Sequence, residues 1–315
     1  MRRIRTISKS IYPGRISGCL LAFMLAVAGT SAFAQDQDKD AEPAPSASTE
    51  VRGVVSSGQG EWGLSQRFPD SALWLELEDG TRTLALFWPE METPARGAVI
   101  ILADEGENAE SGLAGALARE LTHRKLAVLS LGLETPPAAL KRILERPQLA
   151  PEAKPEGQSP EAAIPTTIDV MAVEAPGDQE TAYRERIRDE LAAGAAELNT
   201  REYELVALVG IGRGSNHVVS YAAGLGTPPA LIWAGPKFYP GDAERLAPTL
   251  EKASVPRILE LSSSGEGSDR RASLARAGVQ GFSLQPVGSG TGFVPRDGKA
   301  LAGRIAAWLA PDARQ

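Results

Sequence analysis

The chain is short of the two residue types on which most site chemistry depends. Among its 315 residues there is one cysteine, Cys19, and there are two histidines, His123 and His217. A lone thiol cannot close an internal disulfide or build a cysteine metal site. Two scattered histidines likewise argue against a metal-dependent reaction. Positive charge is also in deficit, with 33 Lys and Arg against 40 Asp and Glu. Five of those basic residues, Arg2, Arg3, Arg5, Lys9 and Arg15, lie in the first 34 positions, which hold no acid. Without that segment the balance is 28 against 40, a net charge of −12. Such a chain is a poor partner for nucleic acid or for an anionic membrane surface. The apolar run "ISGCLLAFMLAVAG" (16–29) is shorter than the roughly 20 residues that a membrane-spanning helix needs.

What the first 34 residues do contain is a basic start, that apolar run, and Ser31-Ala32-Phe33-Ala34, an A-x-A type cleavage site. The pattern predicts a secretory signal cut after Ala34, and hence a periplasmic or secreted protein with no membrane attachment after cleavage. An uncleaved anchor is the alternative. The "ISGC" box is not read as a lipoprotein signal, because the apolar run follows Cys19 instead of preceding it. Cleavage removes the only cysteine. Residues 35–50, "QDQDKDAEPAPSASTE", read as a disordered leader. Asp36, Asp38 and Asp40 imitate a calcium loop, but Ala41 and Ala47 stand where its glycine and final acid belong.

Residues 51–312 are expected to form a single domain. "ALWLELE", Asp79-Gly80 and "TRTLALFW" predict a β-hairpin over 72–88. "GAVIILAD" (97–104) and "LAVLSLGL" (126–133) are continuous apolar runs, as buried parallel strands require, with a helix between them at 111–125. Residues 134–178, rich in Pro, Ala and Glu, read as a long, partly disordered, low-complexity insertion. A helix over 179–198 follows, then strands near 204–209, 230–235, 257–263 and 281–287 alternating with helices near 214–224, 241–253, 268–277 and 298–309. Alternation of this kind predicts an α/β fold, a doubly wound, mainly parallel sheet with an N-terminal antiparallel hairpin.

Two stretches carry a resemblance. "RGAVIILADEGENAESGLAGALARELTHRKLAVLSLGL" looks like the strand, oxyanion loop, helix and strand of the α/β-hydrolase fold. "AYRERIRDELAAGAAELNTREYELVALVGIGRGSNHVVSYAAG" looks like the helix leading into its nucleophile elbow. Over roughly residues 70–310 the chain is similar to a bacterial family of secreted α/β-hydrolase-like proteins known as a domain of unknown function. The resemblance implies the fold and, at most, a hydrolase activity on an ester or other acyl substrate. It implies no cofactor.

Tested residue by residue, the hydrolase chemistry is missing. The elbow pattern G-x-S-x-G appears as Gly210-Ile211-Gly212-Arg213-Gly214, so the nucleophile position is Gly212. In this fold the triad histidine follows the last strand, and after His217 there is no histidine. The matching loop, "VGSGTGFVPRDG", places Ser289 to Thr291 there. His217 is expected to be a packed or half-exposed helix residue, and His123 a helix C-terminal cation. Glu266 and Asp269 follow the strand that would bear the triad acid; Asp269 also reads as a helix-start residue. The oxyanion loop reads Ala103-Asp104-Glu105-Gly106, and carboxylates there would repel a developing oxyanion. Asp104, Glu105, Glu107 and Glu110 are expected to stabilise the next helix N-terminus, with a Ca²⁺ site as the sharper alternative. A dinucleotide loop is disfavoured, because Gly210-x-Gly212-x-x ends in Ser215. Ser262, Ser263 and Ser264 have no lysine near them in sequence.

Two readings remain. In the first, a catalytically degenerate protein binds an unknown small molecule or protein at the old crevice, lined by Asp104, Glu105, Gly212, Arg213 and Ser289 and covered by the insertion. Arg213 would attract an anionic group there. In the second, the protein is a hydrolase with Ser215 as an unusual nucleophile.

Overall fold

Period-two patterning builds the sheet. In strand β3 (Ala98–Glu105), Val99 and Ile101 face one side while Ile100 and Leu102 face the other, and all four are fully buried. A register slip of one residue would exchange these faces, so two-sided burial fixes the pairing. The structure is a computed structural model that describes residues 60–147, 176–263, 267–288 and 292–310. The expected signal and leader, residues 148–175 of the expected insertion, Ser264, Glu266 and Ser289 to Thr291 lie outside the described residues.

The chain order is α1 (Glu61–Arg67), β1 (Ala72–Glu76), β2 (Arg82–Trp88), β3, α2 (Gly112–Thr122), β4 (Ala127–Leu133), α3 (Ala138–Leu144) and α4 (Pro176–Thr200). It continues with β5 (Leu205–Ile211), α5 (Gly214–Ala223), β6 (Ala230–Ala234), α6 (Pro240–Ala253), β7 (Ile258–Ser262), α7 (Ser268–Arg276), β8 (Phe282–Pro286), a 3₁₀ turn (Pro295–Asp297) and α8 (Gly298–Leu309). The strands form one sheet in the order β1-β2-β4-β3-β5-β6-β7-β8. The β1–β2 and β2–β4 pairs are antiparallel and the rest are parallel. The expected α/β-hydrolase-like sheet with its leading hairpin is therefore present.

Helices cover both faces. On one, Leu113, Leu117 and Leu121 of α2 and Leu301 and Ile305 of α8 pack on Val99, Ile101, Val209 and Ile232. On the other, Ile187, Leu191 and Leu198 of α4, Val218 of α5, Leu246 of α6 and Leu274 of α7 pack on Ile100, Leu102, Leu208 and Trp233. Each such side chain contributes about 1.5–3 kcal/mol relative to exposure. Helix α4 adds the i,i+4 ion pairs Glu180–Arg184, Arg186–Glu190 and Glu197–Arg201 along its polar side.

The described ends of the 134–178 stretch are helical. Residues 138–144 form α3, and α4 begins at Pro176. The spacing of Leu140 and Leu144 places both on one helical face, where they pack with Tyr239 and Tyr183. Helix α1 has no counterpart in the sequence reading. The carboxylate Oε1 of its Glu61 accepts hydrogen bonds from the Thr83 hydroxyl (3.1 Å) and the Leu84 N–H (2.8 Å).

Candidate functional site

The C-terminal ends of β3, β5 and β6 lie side by side near the middle of the sheet. There β5 turns into α5 through Gly212, whose φ of +52° lies in the left-handed region that favours glycine. A Cβ on Gly210 would meet the Ser215 backbone at 2.6 Å, so this position also requires glycine. The turn is braced by backbone hydrogen bonds from Gly212 N–H to the Ala234 carbonyl (3.1 Å) and from Lys237 N–H to the Gly212 carbonyl (3.0 Å). Asn216 completes the brace. Its amide nitrogen donates to the carbonyls of Arg213 and Lys237, both at 2.9 Å, and its oxygen accepts the Tyr239 N–H at 3.0 Å. This is the backbone of a nucleophile elbow with no side chain at its centre.

The space above Gly212 is filled by Asp104. A Cβ placed on Gly212 would fall well inside 3.0 Å of the Asp104 carboxyl carbon and both its oxygens. Asp104 Oδ1 accepts the Arg213 N–H at 2.7 Å and the Glu105 N–H at 2.9 Å. In α/β-hydrolases the oxyanion hole consists of the N–H after the nucleophile and an N–H from the loop after β3. Arg213 and Glu105 hold those two positions. Their N–H groups converge on a single oxygen within the 2.7–3.1 Å that such a hole requires. Asp104 Oδ2 accepts from the Lys237 ammonium at 3.0 Å. The carboxylate expected to repel an oxyanion thus sits on both of these N–H groups.

A second layer surrounds this carboxylate. The Glu105 carboxylate accepts from Tyr239 OH at 2.9 Å and pairs with Lys141 of α3. The Arg213 guanidinium stacks over the Tyr239 ring, 4.2 Å from its centroid, and reaches Glu145 at 3.6 Å. Helix α3 is therefore attached to the crevice by ion pairs on either side of an apolar contact. Burial pushes the Tyr239 and Tyr183 hydroxyls up from their ordinary pKa, and the nearby Tyr183 and Glu105 add respectively to the two shifts. Both tyrosines are held neutral as donors. Tyr183 OH donates to the Glu134 carbonyl at 2.9 Å.

The sequence candidates separate as follows. Asp104, Glu105, Gly212 and Arg213 come together. Ser289 lies outside the described residues. The N-cap of α2 is Ser111, Asp104 is engaged with the Arg213 and Glu105 N–H groups, and the Arg213 guanidinium pairs with Glu145. Glu110 pairs with Arg119 instead of joining a carboxylate cage. Among the described residues, no group of three or more His, Cys, Asp and Glu is placed to hold a metal ion. Ser215 is fully buried, and its hydroxyl donates to the Gly210 carbonyl at 3.1 Å, so no acyl group can approach it. His217 is 3% exposed, edge-on to the Tyr183 ring at 5.6 Å, and its Nε2 has no partner. Burial, with a smaller push from Arg184, lowers its pKa to about 3. It is a neutral core residue. Asp269 lies in the first turn of α7, as expected. Ser262 donates to Glu260, a fully buried carboxylate that Arg270 also holds through two nitrogens at 2.8 and 2.9 Å.

Lys237, Tyr239 and Lys141 were not found from sequence. Only the position of Lys237, just beyond the end of β6, could have signalled a side chain at the crevice. A cavity of about 460 Å³ opens alongside the oxyanion loop, lined by Glu61, Leu64, Leu84, Glu107, Leu133 and Glu190 among others. Burial raises the Glu107 carboxyl, reinforced by Asp104, and pushes Glu190 up to about 7 against the opposing pull of Arg186.

The family described as "Protein of unknown function (DUF3530)" matches residues 17–281. Est1E from Butyrivibrio proteoclasticus is similar in structure, with a TM-score of 0.50 and 11% identity over 76% of this chain and 97% of that one. The esterase domain from a Rhodothermus marinus protein has a TM-score of 0.48 and 13% identity, over 75% and 96% of the two chains. Dienelactone hydrolase from Anabaena variabilis has a TM-score of 0.48 and 16% identity, over 76% and 95%. At these identities the likeness concerns fold alone. No curated protein matches.

Proposed function

The chain belongs to the DUF3530 family, and on that footing we propose that it is a catalytically degenerate α/β-hydrolase-fold protein that binds a small molecule or protein at the crevice above its elbow. The observation that carries this reading is the Asp104 carboxylate seated above Gly212 on both oxyanion-hole N–H groups. A serine hydrolase needs a nucleophile, a base and an empty oxyanion hole. At this elbow the first is glycine and the third is filled. The histidine nearest the elbow in sequence is buried and neutral. A neighbouring cavity of the usual small-molecule size opens beside Gly106 and Glu107, and its lining does not include Asp104, Gly212 or Arg213. A periplasmic or secreted location is supported by the basic start, apolar run and A-x-A site of residues 1–34.

The competing reading, acyl hydrolysis by Ser215, has no observation in its favour. Purified protein is exposed to a fluorophosphonate probe and to an activated ester. Neither labelling nor turnover is expected. Stoichiometric labelling of Ser215, with turnover abolished in Ser215→Ala, would overturn the proposal.

A further inference from the structure

We infer that the elbow is a preserved binding site for one carboxylate, built from the Glu105 and Arg213 N–H groups and the Lys237 ammonium, and that Asp104 is both its resident ligand and the residue that bars external anions. The inference rests on the reading of this corner as a site that binds without reacting.

Three segments far apart in sequence supply the donors: the end of β3, the elbow, and the loop between β6 and α6. Their arrangement matches a planar group with two oxygens. One oxygen takes both N–H groups at 2.7 and 2.9 Å, and the other takes the ammonium at 3.0 Å. A spherical anion offers no such division. Room for the group exists because residue 212 has no Cβ. Solvent reaches the site, since the Asp104 side chain is 24% exposed and that of Lys237 is 64% exposed.

Asp104 holds the site by proximity. Its carboxylate is tethered to the donors, so it competes at an effective concentration that a free anion in solution does not reach. Of the other charges facing the site, Glu105 is paired with Lys141 and Arg213 with Glu145, while the Glu107 carboxyl feels both Asp104 and Lys237. Removing the Asp104 carboxylate leaves two converging N–H groups and an ammonium with only water as acceptor. A small carboxylate from solution restores the charged acceptor, and hydrogen bonds to charged groups are the stronger ones.

The test compares wild type with Asp104→Ala by thermal denaturation in sodium acetate and in sodium chloride at equal ionic strength. For the variant, a saturable rise in midpoint is expected in acetate on the order of millimolar concentration, as ligand binding to the folded state requires. Wild type should respond identically to the two salts. Lys237→Gln in the Asp104→Ala background should weaken the acetate response several-fold. Identical behaviour of Asp104→Ala in acetate and chloride overturns the inference. Should that variant not fold, NMR of wild type and Asp104→Asn decides instead. A neutral amide oxygen is a weaker acceptor, so the Glu105 and Arg213 amide protons should move upfield together. If the two resonances do not respond together, the shared site is refuted. Failure of the function reading looks different. Probe labelling of wild type would sink that reading yet leave an acetate response in Asp104→Ala intact.

Discussion

Replacing Gly212 with alanine tests whether the elbow is organised around a carboxylate or around empty space. The substitution carries two separable costs. Alanine at φ +52° pays roughly 1 kcal/mol for the left-handed conformation. The new Cβ would also lie inside 3.0 Å of the Asp104 carboxyl group, so that group must leave. Its departure breaks the hydrogen bonds to the Arg213 and Glu105 N–H groups, a loss of about 2 kcal/mol for charged acceptors of this kind. The Lys237 contact adds little, because the lysine side chain is 64% exposed. Gly212→Ala is thus expected to destabilise the protein by roughly 3 kcal/mol. In an Asp104→Ala background the clash is gone and only the backbone cost of roughly 1 kcal/mol remains. Urea unfolding of wild type, the two single variants and the double variant, followed by tryptophan fluorescence, gives a coupling energy of about 2 kcal/mol. Equal effects of Gly212→Ala in both backgrounds, within about 0.5 kcal/mol, would refute the reasoning. The same geometry means that a serine at 212 is incompatible with Asp104 in its present place.

Two further substitutions probe buried polar groups. The native His217 has a pKa near 3 against 6.5 for the ordinary group, so its contribution to stability is present above pH 6.5 and is lost as pH falls toward 3, where the unfolded chain alone takes up a proton. His217→Phe removes that loss and should gain about 2 kcal/mol on wild type between pH 7 and pH 5, read by urea unfolding at each pH; parallel pH profiles would count against it. Glu260→Gln leaves Arg270 facing a neutral group beside a fully buried position, and should destabilise by about 3–5 kcal/mol in the same assay. A loss below about 1 kcal/mol would mean that the Glu260–Arg270 pair contributes little.

The sheet was legible because its strands are apolar on both faces. A run such as "GAVIILAD" has no other stable place than a covered parallel sheet. The elbow was legible too, since three glycines between a buried strand and a helix require a tight turn. Helix α3 was not. Its seven residues sit in a Pro- and Ala-rich stretch, and Leu140 and Leu144 become a packing face only when Tyr239 and Tyr183 lie opposite. The role of Asp104 was hidden for the same kind of reason. Its acceptor oxygens meet donors 109 and 133 positions away, a pairing that no local pattern encodes. Local reasoning could see only a carboxylate near a helix start. It took the distance to the elbow to show that the bare position at Gly212 and the presence of the aspartate describe one arrangement.

An active hydrolase holds its two oxyanion donors in readiness for a charge that exists only during the reaction, and between turnovers they contribute little to holding the fold together. In this protein an acceptor is built into the chain, because the Asp104 carboxylate takes both N–H groups in the folded structure. Under the proposed non-catalytic reading, substitutions that rigidify this corner would carry no penalty in turnover, and the usual conflict between stability and activity would not arise at the elbow.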